Sequence, residues 1–177
     1  MTEPHLDETS RASVSPGDEV DELLNAWRRE RPDLPVEPMQ IWSRILRLAL
    51  HLDEARRAAH ASHRLEGWEF DVLAALRKDG APYTMSPGQL LKQTHVTSGT
   101  MTNRVDRLVA RGFVRRQADP NDGRSVRVVL TAQGKQAVDA ALESLLAAEE
   151  QLLSGLDEQQ RTSLAAALRQ LLVAQQA

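Results

Sequence analysis

MSPGQLLKQTHVTSGTMTNRVDRLVARGFVRRQADPNDGRSVRVVLTAQG, running from Met85 to Gly134, is the stretch that decides the fold. Ser86 followed by Pro87 is a helix start, because proline at the first helical position gives up an N–H that has no partner there in any case. That helix carries Leu90 and Leu91, and His95 to Thr97 forms a turn. Thr97 or Ser98 can cap the next helix, in which Met101, Val105, Leu108 and Val109 recur at helical spacing and predict an apolar stripe that packs inward. Gly112 stands where a helix end favours a left-handed residue, and Phe113 to Ala118 predicts a strand. Asp119-Pro120-Asn121-Asp122-Gly123 is dense turn chemistry, followed by Val126, Val128 and Leu130 alternating with Ser125, Arg127 and Val129. A short helix, a turn, a longer basic helix and a two-stranded hairpin in this order make a winged helix-turn-helix.

Charge is segregated on this unit. Between Ser86 and Leu130 stand eight basic residues (Lys92, Arg104, Arg107, Arg111, Arg115, Arg116, Arg124, Arg127) and three acidic ones (Asp106, Asp119, Asp122), in a chain whose formal net charge is -3. A basic unit inside an acidic chain points to phosphate neutralisation more than to an ordinary solvated face. The second helix offers Thr100, Asn103 and Arg107 to base edges in a major groove, and Arg124 at the hairpin turn is placed for an adjacent minor groove. Ser98, Arg104, Arg111 and Arg127 complete the candidate DNA-binding set.

The run Ser98-Gly99-Thr100-Met101-Thr102-Asn103-Arg104-Val105-Asp106-Arg107-Leu108, then Gly112-Phe113-Val114, the turn ending at Arg124, and Leu130-Thr131-Ala132-Gln133-Gly134 resemble the MarR family of bacterial transcription regulators. The pieces are specific in combination, and the resemblance covers about Glu37 to the C-terminus. It implies an obligate homodimer, mainly α with a small β-hairpin wing, whose terminal helices intertwine and whose two winged units read a pseudo-palindrome.

Outward from that unit, residues 1–16 are rich in Ser, Pro, Asp and Glu and predict a disordered tail. Val20, Leu23, Leu24 and Trp27 predict an extra N-terminal helix within 17–32, stopped by Arg31-Pro32-Asp33-Leu34-Pro35. A long helix opens at Pro38 and carries Ile41, Ile45, Leu48 and Leu52 towards His63. Gly67 to Asp79 predicts another helix, ended by Gly80-Ala81-Pro82. After the hairpin, Thr131 caps a helix to about Leu153 and Asp157 caps a last one carrying Leu164, Leu168, Leu171 and Leu172. We therefore expect dimerisation helices at 37–66 and 131–177 around a winged domain at 67–130. Their apolar faces exceed what one subunit needs, and with 3% aromatic residues the interface should be built of leucine and alanine.

Several classes drop out. No cysteine is present, so neither a disulfide nor a thiol switch is available. The sequence has no glycine-rich phosphate loop and no nucleophile elbow, so no catalytic residues, cofactor or metal are expected. His60 and His63 stand three apart near a helix end, but nothing completes a tetrahedral site and a solvated helix end is the expectation. His51, beside the apolar stripe of the long helix, is a candidate pH switch. With neither a signal peptide nor a membrane-length apolar run, the expected location is cytoplasmic.

For a sensed ligand, Trp27, Asp71, Arg104 and Arg116, taken with Arg31-Pro32-Asp33-Leu34 and Pro38-Met39, are similar to the pattern of the urate-responsive branch of the MarR family, which adds an N-terminal helix. The resemblance implies a site for a small anion, urate or a related purine, in a DNA-binding repressor released from its operator by that ligand. Two guanidinium forks hold a planar anion, the indole stacks on its ring, and the carboxylate accepts an N–H. A small carboxylate of the aconitate or citrate type is the other ligand class. The competing readings are an ion pair between Asp71 and one of the arginines with Trp27 as ordinary packing, and an architectural DNA-binding protein without effector.

Overall fold

The computed structural model describes residues 17–94, 96–119 and 122–176, the side chains of 122–124 excepted. The stretch expected to form a disordered tail, 1–16, lies outside the described residues. Contacts divide the chain into two compact units, one ending at Leu50 and one beginning at His51.

In the first unit, α1 (Glu19–Glu30) starts at Asp18, whose carboxylate accepts the backbone N–H groups of Val20 and Asp21 while Asp21 accepts that of Asp18. Reciprocal capping of this kind satisfies donors a helix start otherwise leaves open. Helix α2 (Met39–Ser62) begins in this unit and runs into the second. Val20 and Leu24 of α1 bury themselves against Val36, with Met39 alongside. Arg44 of α2 reaches Asp18 at 2.7 Å and Asp21 at 2.7 Å, and Arg47 pairs with Glu19. The Arg44 side-chain hydrogen bonds hold the Asp18 carboxyl below its usual range, with the backbone N–H groups adding to the effect.

The second unit contains the end of α2, then α3 (Gly67–Lys78), β1 (Thr84–Met85), α4 (Pro87–Thr94), α5 (Ser98–Ala110), β2 (Val114–Asp119), β3 (Asp122–Leu130), α6 (Ala132–Leu152) and α7 (Glu158–Ala174). The expected hairpin is joined by a third strand, giving an antiparallel sheet in the order β1-β3-β2. Thr84 pairs with Val129 and Met85 with Val128; Val114 pairs with Leu130 and Arg116 with Val128. A two-residue strand shows no alternation, which is why the sequence conceals β1. Met85, Val114, Val128 and Leu130 turn one sheet face into a core shared with Phe70, Leu73 and Leu76 of α3, Leu90 of α4, and Val138, Ala141 and Leu145 of α6.

The same core receives Met101, Val105 and Leu108 of α5, all essentially inaccessible to solvent, whereas Val109, expected in the same stripe, is exposed because it stands about 100° round the helix from Leu108. Burying a side chain of this size stabilises by about 1.5 to 3 kcal/mol, so the apolar stripe fixes where α5 lies and the exposed ion pairs on its flanks add comparatively little. The join to α6 is close. Thr131 Oγ1 donates to Gly112 O at 2.7 Å, its backbone N–H donates to Phe113 O at 3.0 Å, and it accepts the Gly134 N–H at 3.0 Å. A Cβ at Gly134 would stand 2.1 Å from Phe113 O, so only glycine fits that contact.

Candidate nucleic-acid interface

Helix α4 is capped as its sequence predicts: Ser86 Oγ accepts the Gln89 N–H at 3.2 Å, and Gln89 Oε1 accepts the Ser86 N–H at 2.8 Å. Thr97 caps α5, its Oγ1 accepting the Thr100 N–H at 3.4 Å and lying 2.9 Å from Thr100 Oγ1. At the other end, the Phe113 N–H returns to Leu108 O at 3.0 Å and the Gly112 N–H to Val109 O at 2.9 Å, with Gly112 at φ 73°. That Schellman pattern stops the helix cleanly and turns the chain into β2.

With Met101, Val105 and Leu108 inward, the exposed face of α5 is centred on Gly99, Asn103 and Ala110. Ser98 and Thr100 are exposed at its start. Gly99 was not singled out by sequence reasoning, yet an added Cβ there would meet nothing within 4 Å. No packing demand explains a glycine in this helix.

Arg104, Arg107 and Arg111 recur at i, i+3 and i+7 along one flank, and all three meet the corner between α2 and α3. Trp68 lies beneath two of them: the Arg107 Cζ is 4.6 Å and the Arg104 Cζ 5.4 Å from its ring. Glu66, just before α3, accepts from Arg107 Nη2 at 2.6 Å through one oxygen and from Trp68 Nε1 at 2.5 Å through the other. The indole N–H, followed by the Arg107 guanidinium, holds the Glu66 carboxyl below the usual carboxylate range. Arg111 pairs with Glu69, donates to Arg64 O at 2.8 Å and stacks 4.6 Å from the Phe113 ring. Its fork is spent within the protein.

This corner carries two buried polar atoms with no hydrogen-bond partner, Glu69 Oε1 and His60 Nε2. The expected solvated helix end is overturned here: His60 is 4% exposed and stacks on Phe70 with ring centroids 4.3 Å apart. Its helix runs into the core, which its sequence neighbours do not reveal. Burial and then Arg56 push the His60 pKa down, with Asp71 opposing. His63 lies 2.8 Å from Ser144 Oγ, and among the described residues no group of three metal-binding side chains is present. His51 is exposed.

On the opposite flank, Arg116 of β2 pairs with Asp106 of α5 at 2.5 Å, tying wing to helix. Arg115 donates to Gln117 at 2.9 Å, and Arg127 pairs with Asp119 at 2.7 Å. The outer sheet face forms an open concavity of about 480 Å³ lined by Asp79, Thr84, Gln89, Arg115 and Arg127 among others; Asp71, Arg104 and Arg116 do not line it. Arg124 is in β3, but its side chain lies outside the described residues.

Of the ligand candidates, Trp27 belongs to the first unit and is 43% exposed. Asp71, exposed on α3, forms no hydrogen bond or ion pair with Arg104 or Arg116, so the competing reading of an Asp71–arginine pair is not what the chain adopts. Arg104 rests on Trp68 and Arg116 on Asp106. Sequence reasoning missed Glu66 and Trp68; their spacing from the arginines, about forty residues, leaves no local pattern to read. Among the described residues no helix is long and apolar enough to cross a membrane.

Comparison with known proteins bears directly on this arrangement. The model of the MarR family matches residues 65–125, the segment from the α2–α3 corner through the hairpin turn. The HTH-type transcriptional regulator PecS of Dickeya dadantii (strain 3937) is 38% identical over 150 residues, 85% of this chain and 90% of that protein. The HTH-type transcriptional repressor NicR of Pseudomonas putida (strain KT2440) is 32% identical over 109 residues, 62% of this chain and 67% of that protein. A crystal structure of an E. coli MarR mutant complexed with operator DNA superposes with a TM-score of 0.63 at 25% identity, covering 77% of this chain and 96% of that one. With a relative so similar along nearly its whole length, the chain belongs to the MarR family of DNA-binding transcription regulators.

Proposed function

We propose that the chain works as a homodimeric repressor that a small anionic ligand releases from a pseudo-palindromic operator. The observation that carries the DNA reading is the exposed face of α5, with Ser98, Thr100 and Asn103 along it and Arg107 at its edge, in a unit whose positive charge stands against the chain's net -3. In this reading Arg124 and Arg127 of the wing add positive charge for the phosphates, and Arg104 and Arg111 stand on the flank of α5. For pairing of two subunits, α7 buries no residue within the chain and leaves Leu164, Leu168, Leu171, Leu172 and Val173 exposed. In the first unit, Ile41, Trp42, Leu46, Leu48 and Leu50 of α2 are exposed as well. Apolar surface on this scale marks an association face. In this reading 37–66 and 131–177 dimerise, 67–130 reads DNA, and 17–32 is an addition in the manner of the urate-responsive branch.

The ligand assignment to Asp71, Arg104 and Arg116, with Trp27 of the first unit as a further candidate, rests on residue chemistry and on that resemblance. An anion that draws Arg116 away from Asp106 removes the wing-side tie of α5, and it shifts the equilibrium only as far as it prefers the released arrangement. Urate or a related purine is the first class to examine, with small di- and tricarboxylates second.

A band-shift titration on a duplex selected by the protein from a randomised pool, repeated with each compound, tests the reading. The wild type should lose the duplex on adding one ligand class, while Arg116→Ala should keep the duplex and ignore the ligand. Release that persists unchanged in Arg116→Ala refutes the assignment, and a wild type indifferent to every compound leaves an architectural protein.

A further inference from the structure

We propose that Glu66 and Trp68 form a latch that competes with DNA for Arg107, so that these two residues at the start of α3 set sequence specificity without touching a base. The inference rests on the DNA-binding reading of α5. Arg107 has one partner in Glu66 and one in the Trp68 ring, and Glu66 binds the indole N–H with its second oxygen. The three groups therefore orient one another: the carboxylate bridges a guanidinium and an indole, and the indole face carries both Arg107 and Arg104.

The latch is built to open. The Arg107 and Glu66 side chains are 52% and 56% exposed, a setting in which an ion pair adds little to folding. What it does change is the state of the free protein. A latched Arg107 has its charge offset and one nitrogen of its fork bonded to Glu66, so a phosphate must compete with Glu66 for the whole fork. A base edge that accepts two guanidinium hydrogen bonds offers more than a phosphate met at random, and wins the exchange where a phosphate does not. Specificity is a difference of affinities, and a competing internal partner lowers the affinity for the wrong sequences most. Contrast Arg111, locked by a carboxylate that is 1% exposed: the flank has one permanent tie and one releasable tie, three to four residues apart. The unpartnered Glu69 Oε1 and His60 Nε2 lie in the same corner, where buried polar groups without partners leave room for a second arrangement.

The full-length variants Glu66→Gln and Trp68→Phe test this against two duplexes of equal length and composition, one selected by the wild type from a randomised pool and one scrambled. Glu66→Gln keeps the side-chain shape and removes the charge that holds Arg107; Trp68→Phe keeps an aromatic face, though a smaller one, and removes the N–H that holds Glu66. Glu66→Gln should bind the scrambled duplex about eightfold tighter at 0.1 M salt, since one added phosphate contact steepens the log–log salt slope by about 0.9. The ratio of specific to scrambled affinity should fall, and Trp68→Phe should move both quantities in the same direction by less. Salt slopes and affinity ratios equal to those of the wild type in both variants overturn the latch while leaving the DNA reading intact. So does a proportional loss on both duplexes with a lowered melting temperature, the mark of a purely structural role. A wild type that binds neither duplex removes the DNA reading and the latch with it.

Discussion

Arg111→Ala separates the two roles that an arginine at the end of a reading helix can have. Its partner Glu69 is 1% exposed and keeps one other donor, the Glu66 N–H at 2.9 Å, once the guanidinium is gone. Stranding a fully buried carboxylate costs about 3 to 5 kcal/mol, but the Arg111 side chain is 36% exposed and water enters the vacated space, which reduces the figure to about 2 kcal/mol. Loss of the stacking on Phe113 adds about 0.5 to 1 kcal/mol. A total near 2 to 3 kcal/mol lowers the urea midpoint by about 1 M at a fixed protein concentration. Arg111→Lys should recover part of it, because an ammonium satisfies Glu69 but does not also fork to Arg64 O. Measured where both proteins are folded, the salt dependence of DNA binding should match the wild type. An unchanged urea midpoint together with a salt slope flatter by about 0.9 would show that Arg111 contacts phosphate, and the reasoning from its internal partners would be wrong.

Two further outcomes are specific. Gly99→Ala should stabilise the fold by up to about 1 kcal/mol, as alanine does over glycine in an exposed helix, yet weaken DNA binding because the methyl group occupies space the groove needs; a stability gain with unchanged affinity refutes a close approach there. The His60 pKa is depressed by burial and by Arg56, so the contribution of the neutral ring is complete above its ordinary value near 6.5 and is lost as pH falls through the folded-state value. The urea midpoint should drop between about pH 7 and pH 5, and His60→Phe should flatten that slope; a wild-type midpoint constant over the range contradicts it.

What the sequence discloses and what it conceals divide along a physical line. Features written in adjacent residues were legible: the Ser86-Pro87 start, the Thr97 cap, the inward stripe of α5 apart from Val109, Gly112 at the helix end and the Thr131 and Asp157 caps all depend on neighbours within about four positions. Features that depend on a distant partner were not. Arg107 and Arg111 read as solvent-facing cations because nothing near them in the chain announces Glu66 and Glu69. His60 reads as a helix-end residue because the Phe70 ring that covers it belongs to the next helix. Strand β1 exists only because β3 lies beside it, with Tyr83 O accepting the Leu130 N–H at 3.0 Å.

The knot at Gly112, Phe113, Thr131 and Gly134 closes the hairpin at its root. Residues 114–130 therefore leave and rejoin the core at one place, where the exit of α5 meets the start of α6. Loop length at the tip, beyond the strand pairs that Val114, Val128 and Leu130 anchor in the core, is free to vary. Residues inserted at or removed from the tip change how far the wing reaches along a duplex, while the recognition helix and the long helix behind it keep their mutual setting, so reach can be retuned without redesigning the reader.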